Sequence, residues 1–196
     1  MPHDARVWIV DCDAPIDTGS LDAGERRRAA RFASARDARR YAAAHAGLRD
    51  VLGEAAGVAG GGLEFLRAPC FSCGERHGKP SLADGPHFSL SRSGRWAAIA
   101  VADEPVGVDI ERAQELGAAP SLADTLLAEG EASSDLLRTW VRKEALLKAT
   151  GEGLTRPMTT VRADDERIVD LALDGPLVGA LAFTVASPAS TRVRNR

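Results

Sequence analysis

Apolar and polar positions alternate along the chain in a way that predicts short strands and two strongly helical stretches. Val7-Trp8-Ile9-Val10 is an apolar run ending at Asp11 and predicts a strand. Asp22 to Leu52 predicts a helix, broken near Ser34, whose second part lines up Tyr41, His45, Leu48 and Leu52 on one stripe. Gly53 opens a loop running through Gly60-Gly61-Gly62, Leu63–Leu66 predicts a strand, and Pro69–Pro86 is rich in turns. His87–Ser91 alternates as a strand does, and Ser93-Gly94 turns the chain. Trp96–Val101 and Val106–Glu111 predict strands, and the short Asp103-Glu104-Pro105 turn between them predicts a hairpin. Leu136–Thr150 predicts a helix stopped by Gly151 and Gly153. Val161–Val169 and Leu177–Val185 predict late strands, and Ser187–Arg196 a frayed tail. Helices mixed with antiparallel strands give an α+β class. A helix followed by strands occurs once in each half, without a residue-level repeat.

The chain's 196 residues, 44% hydrophobic and 27% charged, suit one large globular domain or two small ones. A net charge of −3 excludes a whole-protein basic field, so no nucleic-acid partner is expected. Arg26, Arg27, Arg28, Arg31, Arg36, Arg39 and Arg40 nevertheless crowd one segment. The cysteines are Cys12, Cys70 and Cys73; an odd count fits no closed disulfide framework and points to a reducing, cytoplasmic setting. Met1–Val10 lacks the apolar core of a leader peptide, and no apolar run approaches the ~20 residues of a membrane helix, so no membrane contact is expected.

Asp109-Ile110-Glu111 carries the first chemical signal. Residues two apart on a strand share a face, so Asp109 and Glu111 project together while Ile110, Val108 and Val106 face a core. Adjacent carboxylates repel unless a cation sits between them, and hard oxygen ligands suit Mg²⁺. Alone, a D-x-E pair is more often a solvated strand end. The second signal is Trp140, Glu144 and Lys148, four residues apart on one helix face. Glu144 can supply a third carboxylate, and Lys148 can hold a phosphate oxygen. Spacing by itself favours a solvated Glu–Lys pair worth a few tenths of a kcal/mol, but a Trp on that stripe argues against full exposure.

Together these residues resemble the Sfp-type 4'-phosphopantetheinyl transferases. That family shows G-[IV]-D-[IV]-E and, downstream, W-x-x-K-E-A-x-x-K; here they read Gly107–Glu111 and Trp140–Lys148, with Lys143, Glu144 and Ala145 matching. Gly78-Lys79-Pro80 matches the family's G-K-P, and Phe88–Gly94 its F-N-[LI]-S-H-S-G. Arg31-Phe32, Asp37, Arg40 and Tyr41 resemble its N-terminal segment, and Gly151–Leu154 its G-x-G-L. The likeness spans about Arg26 to Pro157.

The resemblance implies two pseudo-symmetric α/β lobes, residues 1–100 and 101–196, with the active site in the cleft between them. It implies coenzyme A as donor, a serine of an acyl or peptidyl carrier protein as acceptor, and 3',5'-ADP as product. A monomer would suffice. Asp109, Glu111 and Glu144 take the metal-ligand positions, and Glu144 and Lys148 the catalytic ones. Lys79, Pro80, Ser91, Arg92, Lys143 and Lys148 take positions that bind coenzyme A, while Arg28 and Arg31 fit contact with its 3'-phosphate or with an acidic carrier protein about as well as they fit a solvated helix face. Two departures stand out: Arg92 replaces the family histidine and Ser89 the preceding asparagine. An arginine can grip phosphate but cannot supply a neutral imidazole. The stretch between Glu111 and Trp140 is short, with Glu131 as the candidate acidic residue ahead of the helix.

Other motifs are set aside. Cys70-x-x-Cys73 with His77 offers three ligands where a structural zinc site takes four, so these read as ordinary loop thiols. Gly74-x-x-x-Gly78-Lys79 is one residue short of a P-loop, and Pro80 replaces its Ser or Thr. Gly151-Glu152-Gly153 follows a helix, unlike a dinucleotide fingerprint. His45 fits a packed stripe better than a catalytic role. Two other functions stay open: a non-catalytic module binding coenzyme A or a carrier protein, and a Mg²⁺ hydrolase of pyrophosphates.

Overall fold

The computed structural model describes residues 3–113, 120–186 and 189–196. In chain order the elements are β1 (His3–Asp11), α1 (Ala23–Ala29), α2 (Ala35–Ala56), β2 (Phe65–Arg67), β3 (Pro80–Leu82), β4 (His87–Ser93), β5 (Trp96–Ala102), β6 (Val106–Arg112), α3 (Pro120–Leu126), α4 (Leu136–Thr150), β7 (Ile168–Asp170), β8 (Leu177–Phe183) and β9 (Ala189–Asn195). The class is α+β. One sheet runs β4-β5-β1-β9, a second β6-β8-β7, and β2-β3 form a separate ribbon.

Local chemistry sets the helix ends. Asp22 caps α1 in a reciprocal capping box with Glu25, and Ser34 caps α2, so the expected break near Ser34 falls at a start signal. Asp135 caps α4 by accepting from the Arg138 N–H, and Gly151 ends it in the left-handed region at φ 81°.

Strand alternation then sorts the core into layers. Trp8, Val10, Phe88, Ala97, Ile99 and Val101 face α2. The opposite face of the same sheet offers Ala5, Ala98, Ala100 and Ala102 to Val106, Val108, Ile110, Leu181 and Phe183 of the second sheet. The small alanines let the two sheets approach closely. The far side of the second sheet, with Ala180 and Ala182, is covered by Val141 and Ala145 of α4. The order is helix, sheet, sheet, helix.

Three expectations change. Trp96–Val101 and Val106–Glu111 do not form a hairpin: β5 is already paired on both edges, by β4 and β1, so β6 leaves for the second sheet and pairs with β8. The tail expected to fray forms β9, which lies parallel to β1 from His3↔Ala189 to Ile9↔Asn195; Ser187 and Pro188 lie outside the described residues. Within Val161–Val169 only Ile168 and Val169 enter a strand, the short β7. No helix among the described residues is long and apolar enough to cross a membrane.

Candidate active site

The two sheets meet along β4 and β6 through side chains. The backbone N–H groups of Val108, Ile110 and Arg112 donate to the hydroxyls of Ser89, Ser91 and Ser93 at 3.0, 3.2 and 3.0 Å. Alternation on β4 points all three serines the same way. They satisfy N–H groups that a strand at a sheet edge otherwise exposes. Two of them then donate onward: Ser91 Oγ to Asp109 Oδ1 and Ser93 Oγ to Glu111 Oε2, each at 2.7 Å. The serine ladder thus holds the backbone of β6 and orients the two carboxylates it carries.

Gly107 explains how α4 reaches those carboxylates. A Cβ there would collide with the carbonyl oxygen of Ala145 and the backbone nitrogen of Ala149, so only glycine lets β6 lie this close to α4. The helix consequently brings Trp140, Glu144 and Lys148 over β6. A cavity of about 300 Å³ results, lined by Leu90, Ser91, Arg92, Asp109, Glu111, Trp140, Glu144 and Lys148.

The cavity's electrostatics are strained in one direction. Asp109 is buried, and its Oδ1 is engaged by Lys148 Nζ at 2.6 Å and by Ser91. Asp109 Oδ2 and Glu144 Oε1 are buried without a hydrogen-bond partner among the described residues. Burial pushes the Glu144 carboxyl up; Lys148 opposes this, while Asp109 and Glu111 add to it. Lys148 Nζ also donates to Ser91 Oγ at 3.2 Å. Arg92 reaches the cavity from β4 with its guanidinium 5.2 Å from the Tyr41 ring centroid.

The structure brings together Asp109, Glu111, Glu144, Lys148, Ser91 and Arg92. Ser91 spends its single proton on Asp109 and accepts from the Ile110 N–H and Lys148 Nζ, so in this state its hydrogen-bonding capacity is already used. Lys79 and Pro80 lie outside the cavity lining. Lys79 Nζ donates to Val106 O and Ala149 O at 2.9 and 2.8 Å, tying its loop to the start of β6 and the end of α4. Burial lowers the Lys79 ammonium to about 8. Arg28 and Arg31 are exposed on and just after α1, with Arg28 close enough to Tyr41 to act on it electrostatically. Lys143 is not brought to the cavity. Its side chain is fully buried, and its ammonium donates to Leu126 O, Met158 O and Glu131 Oε2. Glu131 also accepts from the backbone N–H groups of Ala128 and Ala163 and serves as the anchor of that buried cation. His45 packs 4.2 Å from Tyr41 and lies 3.3 Å from Glu25 Oε1.

Sequence reasoning missed Ser93 and the join made by Ser89. Their signal was visible: three serines at alternate positions of a strand present one row of hydroxyls. What was hidden was the partner strand, because β4 and β6 belong to different sheets.

A family model described as the 4'-phosphopantetheinyl transferase superfamily matches residues 105–177, the stretch holding β6 and α4. The 4'-phosphopantetheinyl transferase HetI of a Nostoc species is 30% identical over 178 residues, covering 80% of this chain and 72% of that protein. The chain belongs to the 4'-phosphopantetheinyl transferase family. A 4'-phosphopantetheinyl transferase of Bacillus subtilis is 27% identical over 188 residues, covering 86% of this chain and 81% of that protein. The 4'-phosphopantetheinyl transferase Sfp of Bacillus subtilis is 30% identical over 95 residues, covering 43% of this chain and 42% of that protein.

Proposed function

We propose that this protein transfers the 4'-phosphopantetheine arm of coenzyme A to a serine of an acyl or peptidyl carrier protein, releasing 3',5'-ADP, with Mg²⁺ held by Asp109, Glu111 and Glu144. One observation carries the reading: in a chain of this family, three carboxylates and a lysine from β6 and α4 line a single cavity. The donor set suits the ion in kind, but among the described residues Asp109, Glu111 and Glu144 do not bring one oxygen each within 4.8 Å of the other two, so holding one ion requires these side chains to draw together. All its atoms are hard oxygens, and Asp109 Oδ2 and Glu144 Oε1 are buried with no partner among the described residues. A bound Mg²⁺ would supply positive charge to the pyrophosphate of the donor.

The remaining chemistry belongs to side chains. The carrier serine oxygen forms a bond to the β-phosphorus as the bond to the departing 3',5'-ADP breaks, and positioning with charge neutralisation governs such transfers. Lys148 spends two ammonium protons on Asp109 and Ser91, leaving one for an oxygen of the departing phosphate. Arg92 grips a second phosphate through its forked guanidinium. Glu144 is the candidate to receive the serine proton, directly or through water; its raised affinity for protons suits that task. Lys79 and Pro80 serve the adenine end, and Arg28 and Arg31 the 3'-phosphate or the acidic surface of a carrier.

The same reading takes residues 1–100 and 101–196 as two pseudo-symmetric lobes with the cavity as their cleft. Residues 1–100 carry α2 and most of the first sheet, whose edge strand β9 comes from the C-terminal half, and residues 101–196 carry α4 and the second sheet. We take the protein to act as a cytoplasmic monomer without nucleic acid. The test is incubation with coenzyme A, Mg²⁺ and apo carrier proteins, read by intact mass. A gain of one phosphopantetheine per carrier is expected. Tight binding of coenzyme A without any gain across several carriers, or 3',5'-ADP release without an acceptor, would contradict it.

A further inference from the structure

The loop between β2 and β3 carries a second constellation. Cys70 Sγ, Cys73 Sγ and a ring nitrogen of His77 all lie within 4.8 Å of one another. Cys73 Sγ and His77 Nε2 are 3.0 Å apart. The three residues are brought together by local backbone geometry. Gly74 N–H donates to Cys70 O at 2.9 Å, and Gly74 sits at φ 76°, a left-handed turn that glycine alone takes without cost. Cys70 N–H donates to Glu75 O at 2.8 Å, as does His77 N–H, which folds the histidine back over the turn.

We propose that Cys70, Cys73 and His77 form a soft-metal site suited to Zn²⁺, with the fourth tetrahedral position taken by water. Two thiolates and an imidazole are the ligand chemistry zinc selects over Mg²⁺. Counting ligands in the sequence argued against zinc, because four protein ligands were required. The structure points to the other kind of zinc site, three protein ligands and a water: Cys73 and His77 are exposed, so solvent reaches the fourth position. It also removes Cys12 as a fourth ligand, since Cys12 is buried beside Trp8 and Val10 under α2 and burial pushes its thiol up to about 11. Binding would release the two thiol protons to solvent.

The site's work is to order the loop. Lys79 reaches across to Val106 O and Ala149 O, and Gly151, at the end of α4, lies against both Lys79 and Phe71. A metal at Cys70, Cys73 and His77 would pin the turn that carries Phe71 and delivers Lys79. This inference is independent of what the cavity transfers.

The full chain, reduced and stripped with a chelator, is titrated anaerobically with Co²⁺. One equivalent is expected to give thiolate-to-cobalt charge transfer and the intense visible bands of a tetrahedral ion, both erased by Zn²⁺. A Cys70→Ser, Cys73→Ser double variant should keep its far-ultraviolet circular dichroism and lose the bands. Protein purified without chelators should contain one zinc per chain, and zinc should slow tryptic cleavage after Arg76 in the wild type only. A weak octahedral spectrum in the wild type, zinc content unchanged in the double variant, or a Cys70–Cys73 disulfide in freshly reduced extracts would overturn the proposal. The wild-type cobalt spectrum decides the question even where the double variant folds poorly.

Discussion

Two clusters of buried acids sit on opposite sides of the two-sheet core, and they are built by opposite rules. Under α2, Glu25 meets Arg49 at 2.6 Å, the Asp22 backbone N–H and His45. Arg49 is fully buried and also reaches Asp22, Gly60 O and Leu63 O. Burial pushes the Glu25 carboxyl up, but the hydrogen bonds from His45, Asp22 and Arg49 outweigh it and hold the group low. Beside α4, burial pushes Glu144 the same way, and there nothing outweighs it. One oxygen each of Glu144 and Asp109 has no partner among the described residues. A carboxylate that closes its bonds serves the fold, whereas one that keeps a buried oxygen open is placed for something that arrives later.

Substitutions sharpen or break this contrast. Arg49→Met should cost about 3–5 kcal/mol of stability, because it strands Glu25 and two carbonyls. Urea denaturation measures it, and a loss under about 1 kcal/mol would show the closed cluster to be ornamental. Glu144→Gln should slow transfer at least about a hundredfold, about 3 kcal/mol of transition-state stabilisation, while coenzyme A still binds. Without added metal it should melt no lower than the wild type, since it removes a buried charge that Asp109 and Glu111 repel; clear destabilisation would erase the distinction. Ser93→Ala removes a bond to Glu111 and a partner of the Arg112 N–H, worth roughly 1–1.5 kcal/mol. Its half-saturating Mg²⁺ concentration should rise about tenfold with kcat at saturating Mg²⁺ little changed. An unchanged Mg²⁺ dependence would reduce the serine ladder to a structural join.

The smallest effect is a pH dependence at Lys79, whose ammonium burial lowers to about 8. Charge there is present below that pH and lost as pH rises through it, so the affinity for anionic coenzyme A should decline across pH 8 and Lys79→Met should flatten the decline. Stability moves the other way. The unfolded lysine holds its proton more tightly, so this residue adds stability only as pH climbs from about 8 toward the ordinary value of 10.5. Calorimetric titrations of coenzyme A and thermal melts at several pH values separate the two signs.

Local pattern made much of this legible. The i,i+2 spacing of Asp109 and Glu111 and the i,i+4 spacing of Trp140, Glu144 and Lys148 fixed which side chains share a face, and the cavity collects all five. The break at Ser34 and the stop at Gly151 were readable as caps. What was not readable depended on partners distant in sequence. The β5–β6 turn looks like a hairpin until β1 occupies the edge of β5. The tail looks frayed until β1 offers its other edge to β9. Lys143 shares a helix with Glu144, but one residue's rotation turns it from the cavity into the packing around Leu126 and Met158.

The most direct test is Mn²⁺ binding followed by electron paramagnetic resonance, in wild type, Asp109→Asn and Glu144→Gln. Wild-type protein should bind one ion with oxygen ligation, more tightly with coenzyme A present, and each variant should weaken it at least about tenfold. Equal binding in all three proteins would mean that the carboxylates of β6 and α4 do not share an ion, and the proposed chemistry would fall with them.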